Sequence, residues 1–255
     1  MEKRFSGKVA LVTGATSGIG QATAVRLAAE GALVAVNRRP DLDAGETLRF
    51  IKEVGGQAFD IAADMRDPEA VKAMVLETAR RGGRLDYVVS NAAINPSLSW
   101  EQTTIADFDD LFAVNVRGAW IVCTEGARQM MTEGHGGAIV MVSSISAHVG
   151  APTQVAYCGT KGAISMLGKA LGAVMGKHGI RVNVVEPGAV ATNMSAELLA
   201  DPVALEYYKE RIALGRVGKP SELAASIAFF LSDDASYVTS ATLLVDAGFI
   251  VNAEL

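Results

Sequence analysis

Short apolar runs alternate with longer stretches of mixed character along the chain. The runs lie at residues 9–12, 33–36, 58–61, 87–89, 138–142, 181–185 and 242–245, and each reads as a strand. Between them, residues 68–81, 105–131 and 156–177 carry apolar side chains at helical spacing, as does the alanine-rich stretch 21–31. Strand–helix alternation predicts an α/β fold, a parallel sheet of seven strands with helices on both faces. Right-handed crossovers make that sheet doubly wound and place binding sites beyond the carboxyl ends of its strands. The hydrophobic fraction of 50% suits strands buried on both sides. No Pro/Gly/Ser-rich linker, repeat or low-complexity tract interrupts the alternation, so a single domain, 1–255, is expected.

Chemistry collects where those strands end. After the first comes T-G-A-T-S-G-I-G at residues 13–20, leading into the stretch 21–31. Strand, glycine turn and helix is the context in which such a motif binds a dinucleotide. Gly14 permits a tight turn, Gly18 lets backbone approach a pyrophosphate, and Gly20 lets helix and strand pack closely. The helix N-terminus then offers free N–H groups to phosphate. Further along, Tyr157 and Lys161 stand four apart in Y-C-G-T-K, on one face of a predicted helix, with Ser144 thirteen residues upstream of the tyrosine. A tyrosine normally ionises near pH 10; a neighbouring ammonium lowers that value towards the range of general base catalysis. Strand alternation sends Ser143 and Ser144 to opposite sides. Asn115 interrupts a helical pattern in V-N-V-R-G, where asparagine is a poor helix former. It either makes a structural polar contact or, through its side chain or a local helix kink, holds a water for proton transfer.

Glycine turn, N-A-A at residues 91–93, Asn115, Ser144, Tyr157/Lys161 and Pro187-Gly188 occur in an order that resembles the short-chain dehydrogenase/reductase family, from about residue 8 to residue 252. The resemblance implies a Rossmann sheet and reversible hydride transfer between a nicotinamide cofactor and a carbinol carbon. By it, Ser144, Tyr157 and Lys161 look like a catalytic triad and Asn115 like its fourth member. The cofactor residues it implies begin with Gly14, Thr16, Ser17, Gly18, Ile19 and Gly20 of the glycine turn. Asn37, Arg38 and Arg39 follow the second strand, and Asp64 and Met65 the third, with Asp64 at the adenine edge or simply a loop acid. Asn91, Ala92 and Ala93 follow the fourth strand, and the family usually has N-A-G where this chain has Ala93. Tyr157 and Lys161 join them, with Pro187, Gly188, Val190 and Thr192 after the sixth strand; Thr192 is a carboxamide contact, an N-cap, or both.

The second strand ends V-A-V-N-R-R. An acidic residue there would bind the ribose hydroxyls of NAD and repel a 2′-phosphate. Asn37, Arg38 and Arg39 offer donors and positive charge instead, so NADP is favoured and NAD accepted. Ser17 stands against strict NADP use, because NADP-preferring relatives often carry a basic residue there. For substrate, the stretch after Ser144, the P-G-A-V-A-T-N-M loop and the L-V-D-A-G-F-I-V-N tail resemble bacterial aldose 1-dehydrogenases. Ser146, Gln154, Asn95 and Asn193, with Ser144 and Tyr157, would line a pocket for a polyhydroxylated sugar; the alternative is that Ser146 and Gln154 only brace the serine loop. Residues 95–100 and 193–214 are expected to form the substrate walls. A 3-oxoacyl-thioester reductase is the main alternative, and a dinucleotide-binding protein without catalysis a further one.

A net charge of −5 and a pI near 5.3 argue against a nucleic-acid partner. Two cysteines, Cys123 and Cys158, make no disulfide framework and suit a reducing cytoplasm. The N-terminus lacks the apolar core of a secretory signal, and no run is long enough to suggest a membrane span. The three histidines are dispersed, so no metal is expected. The tail and the two long central helices resemble those that build family homotetramers.

Overall fold

The computed structural model describes residues 3–252; the ends of the expected 1–255 domain lie outside them. In chain order the regular elements are β1 (Val9–Val12), α1 (Gly18–Ala29), β2 (Leu33–Arg38), α2 (Gly45–Glu53), β3 (Gln57–Ala62), α3 (Pro68–Gly82), β4 (Tyr87–Ser90), α4 (Ile105–Phe112), α5 (Ala119–Glu133), β5 (Gly137–Val142), α6 (Val155–Met175), β6 (Ile180–Pro187), α7 (Ala196–Ala200), α8 (Pro202–Arg211), α9 (Pro220–Leu231) and β7 (Thr242–Val245). The seven strands form one parallel sheet in the order β3-β2-β1-β4-β5-β6-β7. Its direction of growth reverses between β1 and β4, the switch point at which α/β sheets bind ligands.

Period-two alternation divides the core. Ala10, Val12, Val34, Val36, Val89 and Val140 pack with Leu27 of α1, Ile51 of α2 and Ile227 of α9 on one face. Leu11, Ala35, Val88, Ile139 and Met141 pack with Met74 of α3, Val122 of α5 and Ile164 of α6 on the other. Apolar side chains on both sides of each strand explain the continuous runs in the sequence. Register levels the strand ends: Val12 is paired with both Val36 and Val89. Thr13, Asn37 and Ser90 therefore emerge together at one edge.

Local signals set the helix ends. Asp67 caps α3, accepting from the Glu69 and Ala70 N–H groups, with Pro68 in the first turn and the left-handed Gly83 after the last. Thr104 and Asp107 form a capping box on α4. The expected helix over 105–131 is one column in three parts, because residues 113–118 widen into a π turn between α4 and α5. Asn115 is its centre, and its side chain is tied to a neighbouring loop rather than to solvent.

A candidate active site at the carboxyl ends of the strands

One cleft of about 730 Å³ runs along the carboxyl edge, from the glycine turn across the switch point to α8. That volume is of the size that takes a small molecule or cofactor. At one end the turn after β1 is drawn tight. Gly14 and Gly18 have φ of 61° and 56°, and a Cβ on Gly14 would stand 2.9 Å from the Ala92 Cα. Gly20 lies beneath the cleft surface, where a Cβ would come within 2.3 Å of the Gly14 carbonyl oxygen, so only glycine lets α1 approach. Ser17 caps α1 without a side-chain bond, which leaves the N–H groups of the first turn open to an anion.

The side chains beneath this turn bond to backbone. Thr13 Oγ1 accepts from the Asn91 and Ala92 N–H groups at 2.9 and 3.1 Å. Asn91 Nδ2 donates to the carbonyls of Thr13 and Gly14. Asn37 lines the cleft, as expected, but its polar atoms face protein. It is 2% exposed, accepts from the Gly14 N–H, and its amide protons face the carbonyls of Arg38, Ile61 and Ala63. It fastens the glycine turn to β2 and has no donor left for a phosphate.

Arg38 and Arg39 do reach the cleft wall. Arg38 Nε bonds Asp60 at 2.8 Å and its Nη1 the carbonyls of Pro40 and Leu42, whereas Arg39 holds only the exposed Asp41. Exposed ion pairs of this kind are worth at most about 1 kcal/mol, so an arriving phosphate can compete for either guanidinium. Asp64 lines the same wall beside Met65 and accepts from the Arg66 N–H at 2.9 Å. Arg66, which belongs to no motif, grips Asp110 with two nitrogens at 2.6 and 2.8 Å and touches Asp64.

Beyond the switch point the three side chains expected to be catalytic line the same cleft. Ser144, after β5, caps a short turn over Ile145–Ala147, accepting from the Ser146 N–H and donating to Ser146 Oγ, each at 3.1 Å. Ser143 points the other way, into the α6 side, as alternation requires. Tyr157 and Lys161, one helical turn apart on α6, are 8% and 4% exposed. The Lys161 Nζ lies 5.4 Å from the Tyr157 ring centroid and donates to the Val142 carbonyl at 3.0 Å.

Known proteins are similar to this chain in sequence and in fold. A family model described as enoyl-(acyl carrier protein) reductase matches residues 14–250. An L-rhamnose 1-dehydrogenase (NAD(P)(+)) of Sphingomonas sp. (strain SKA58) is 41% identical over 99% of this chain and 100% of its own. Among solved structures, a short-chain type dehydrogenase/reductase from Mycobacterium marinum superposes with a TM-score of 0.92 at 33% identity, covering 97% of each chain. A gluconate 5-dehydrogenase from Burkholderia cenocepacia J2315, in complex with NADP and tartrate, does so with a TM-score of 0.92 at 31% identity, over 98% of this chain and 99% of its own. The chain belongs to the short-chain dehydrogenase/reductase family.

Burial sets the electrostatics of this short-chain dehydrogenase/reductase centre, and one expectation is reversed by it. Loss of solvent pushes the Tyr157 phenol above its ordinary value, a bond with Ser144 pulls it back in part, and Cys158 adds a smaller upward push. The same burial brings the Lys161 ammonium down to about 8. The lysine charge favours the phenolate but works against desolvation; it does not prevail by itself.

Asn115 stands one layer behind, 2% exposed. Its Nδ2 donates to the Ile94 carbonyl at 2.9 Å and to Thr160 Oγ1 at 3.2 Å, and its Oδ1 accepts from the Ile94 N–H at 2.8 Å. Both amide protons are thus spent on protein, and the π turn is the local kink that the sequence anticipated. Of the expected substrate residues, Ser146, Gln154, Asn95 and Asn193 all reach the cleft, as do Ala93, Pro187, Gly188, Val190 and Thr192. Thr192 also forms a capping box with Ser195, so its capping role is real. Tyr208 closes the far wall, half-buried and stacked on Phe249 at 5.5 Å. No motif announces it, since its α8 pattern reads as an ordinary surface helix. Among the described residues no group of His, Cys, Asp or Glu is arranged to hold a metal, and no helix is long and apolar enough to cross a membrane.

Proposed function

We propose that this chain is an NAD(P)-dependent oxidoreductase that oxidises an aldose at C1. The observation that carries the reading is a single cleft joining an anion-ready glycine turn to Ser144, Tyr157 and Lys161, with Ser146, Gln154, Asn95 and Asn193 around them. A dinucleotide fits the near end, where Gly14 and Gly18 remove side chains and α1 points its free N–H groups inward. Held there by the open first-turn N–H groups of α1, an oxidised nicotinamide cofactor would supply the hydride acceptor and a positive charge favouring the phenolate. Ser144 Oγ holds the C1 hydroxyl oxygen, and Tyr157 Oη removes its proton as the C1–H bond breaks, leaving a C1 carbonyl. Lys161 holds positive charge beside the phenol through this transfer. Arg38 and Arg39 support acceptance of NADP alongside NAD, as does the relatedness to an NAD(P)(+) enzyme.

Polar groups close to Ser144 favour a polyhydroxylated substrate, because each buried hydroxyl left unpaired costs about 1–3 kcal/mol. A second reading rests on the outer wall, where Met194, Leu198, Leu199 and Tyr208 would suit the chain of an oxoacyl thioester. Assay of L-rhamnose, L-fucose, D-glucose and related aldoses decides between them. Oxidation of none, with efficient reduction of an oxoacyl thioester, would transfer the assignment. Tyr157→Phe tests the mechanism itself: a loss of at least about a hundredfold in kcat is expected, and near-wild-type turnover across the pH profile would sink it.

A homotetramer and a cytoplasmic setting complete the reading. Exposed apolar side chains on α5 and α6, Trp120, Met166 and Val174 among them, support association of the long central helices. Two free thiols, Cys123 and Cys158, support a reducing compartment. A light-scattering mass near one subunit would contradict the tetramer.

A further inference from the structure

A buried acid that the reaction does not use stands behind the reacting centre. Glu186, in β6 just before Pro187-Gly188, is 1% exposed. Its Oε2 lies 2.5 Å from His148 Nε2, and its Oε1 accepts from Ser165 Oγ at 2.5 Å. Ser165 Oγ is also 2.9 Å from Ser143 Oγ, and Ser143 Oγ donates to the Lys161 carbonyl at 2.8 Å. Each of these partners belongs to a segment that carries catalysis. His148 ends the short turn that Ser144 begins, its N–H bonding the Ile145 carbonyl at 2.8 Å. Ser143 is the residue before Ser144, and Ser165 lies one turn beyond Lys161 on α6. Through its own strand, Glu186 continues into the Pro187-Gly188 wall of the cleft.

Stability alone gives no reason for an acid here. Val182 and Val184, on the same face of β6, are fully buried and apolar, and an apolar side chain at 186 would continue that face without the desolvation cost of a carboxyl group. What the acid provides is two well-directed acceptors at fixed separation. One ties down the far end of the Ser144 turn and the other holds Ser165 of α6, while the start of the turn is tied to α6 by the Ser143 hydroxyl donating to the Lys161 carbonyl.

We propose that Glu186 is a positioning residue for hydride transfer, with His148 as its partner. Together they set the distance between Ser144 on its turn and Tyr157 and Lys161 on α6. The inference rests on the reading of those three as the reacting centre. A displacement of about 1 Å between such groups costs up to about a hundredfold in rate.

The test compares Glu186→Leu, Glu186→Gln, His148→Ala and His148→Gln in the full chain, on whichever aldose, alcohol or carbonyl substrate the wild type turns over. Glu186→Leu should lower kcat by about thirtyfold or more, with Tm unchanged or raised and with NADPH affinity by fluorescence titration within about twofold. Glu186→Gln keeps an acceptor for Ser165 and a polar group facing His148, and should recover kcat to within about threefold of wild type. His148, with a side chain 44% exposed, can be truncated without opening the core. Should Glu186→Leu fail to fold, His148→Ala decides: about a tenfold loss of kcat, largely restored in His148→Gln, is expected. A kcat loss that tracks Tm, a Gln variant no better than Leu or Ala, or unchanged kcat in Glu186→Leu would each overturn the proposal. A wild type that turns over no carbinol or carbonyl would overturn the oxidoreductase reading with it.

Discussion

Lys161→Met separates the functional reason for a buried lysine from its structural cost. Burial lowers the ammonium from its ordinary 10.5 to about 8, a difference worth about 3 kcal/mol at about 1.4 kcal/mol per pH unit. The unfolded chain keeps its proton up to the ordinary value. Between about pH 8 and 10.5 the unfolded state therefore binds more protons than the folded state, and folding stability rises with pH across that window. Below pH 8 both states are charged and the whole cost stands. Methionine keeps the apolar stem but loses the donor to the Val142 carbonyl at 3.0 Å, which gives back about 1 kcal/mol. The variant should thus be more stable than wild type by about 2 kcal/mol at pH 7, with that advantage gone by about pH 10.5. Its kcat should fall by at least about a hundredfold, since the charge beside Tyr157 is lost. Urea unfolding at pH 7 and pH 9.5, with kcat measured on the same preparations, reads both effects. A variant less stable than wild type at pH 7, or a stability difference that does not change with pH, would refute the argument.

Two substitution sets test the two ends of the cleft. Arg38→Ala and Arg39→Ala should each raise the KM for NADP by about tenfold while moving that for NAD little, the larger effect falling on Arg39, whose guanidinium bonds, among the described residues, the exposed Asp41 alone. Equal effects on both cofactors, or wild-type efficiency at least about tenfold better with NAD, would remove the phosphate role. Gln154→Ala should raise the KM for sugar by about tenfold or more and leave that for cofactor within about twofold; parallel changes in both would make Gln154 a brace for the serine loop.

The architecture was legible because periodicity is a direct record of burial. All seven strands fall where apolar runs stood, and the triad spacing puts Tyr157 over Lys161 on one helix. The middle of the chain was less legible. Across residues 105–131 the helical spacing is interrupted by Asn115, which points to a local kink but not to a π turn over residues 113–118. The turn answers a tertiary contact, the Asn115 amide against both backbone groups of Ile94, twenty-one residues away. Tyr208 falls in the stretch 193–214 expected to wall the substrate, but its own part was not legible, since its place in the cleft depends on stacking against Phe249 from the far end of the chain. The Tyr157 phenol was misjudged because a lysine four residues on is a sequence feature, whereas the desolvation that opposes it is a property of the assembled fold.

Asn37 shows where a motif-based reading of polar residues breaks down. A polar side chain beside a ligand cleft can face the ligand or support the backbone that does, and composition cannot separate the two. Hydrogen-bond capacity can. Asn37, Asn91 and Thr13 spend their donors and acceptors on carbonyls and N–H groups just past the ends of β1, β3 and β4. Asn115 does the same for the loop after β4. What remains open at the cleft surface is backbone: the first turn of α1, which no side chain caps, and the close-set glycines before it. A dinucleotide at that end would meet main-chain groups whose positions are fixed from below, beside the Arg38 and Arg39 side chains on the same wall, so that loss of a supporting side chain would act through geometry. At the other end Ser144, Tyr157 and Lys161 would act through their side chains, and the same kind of support reaches them from Ser143, Ser165 and Glu186.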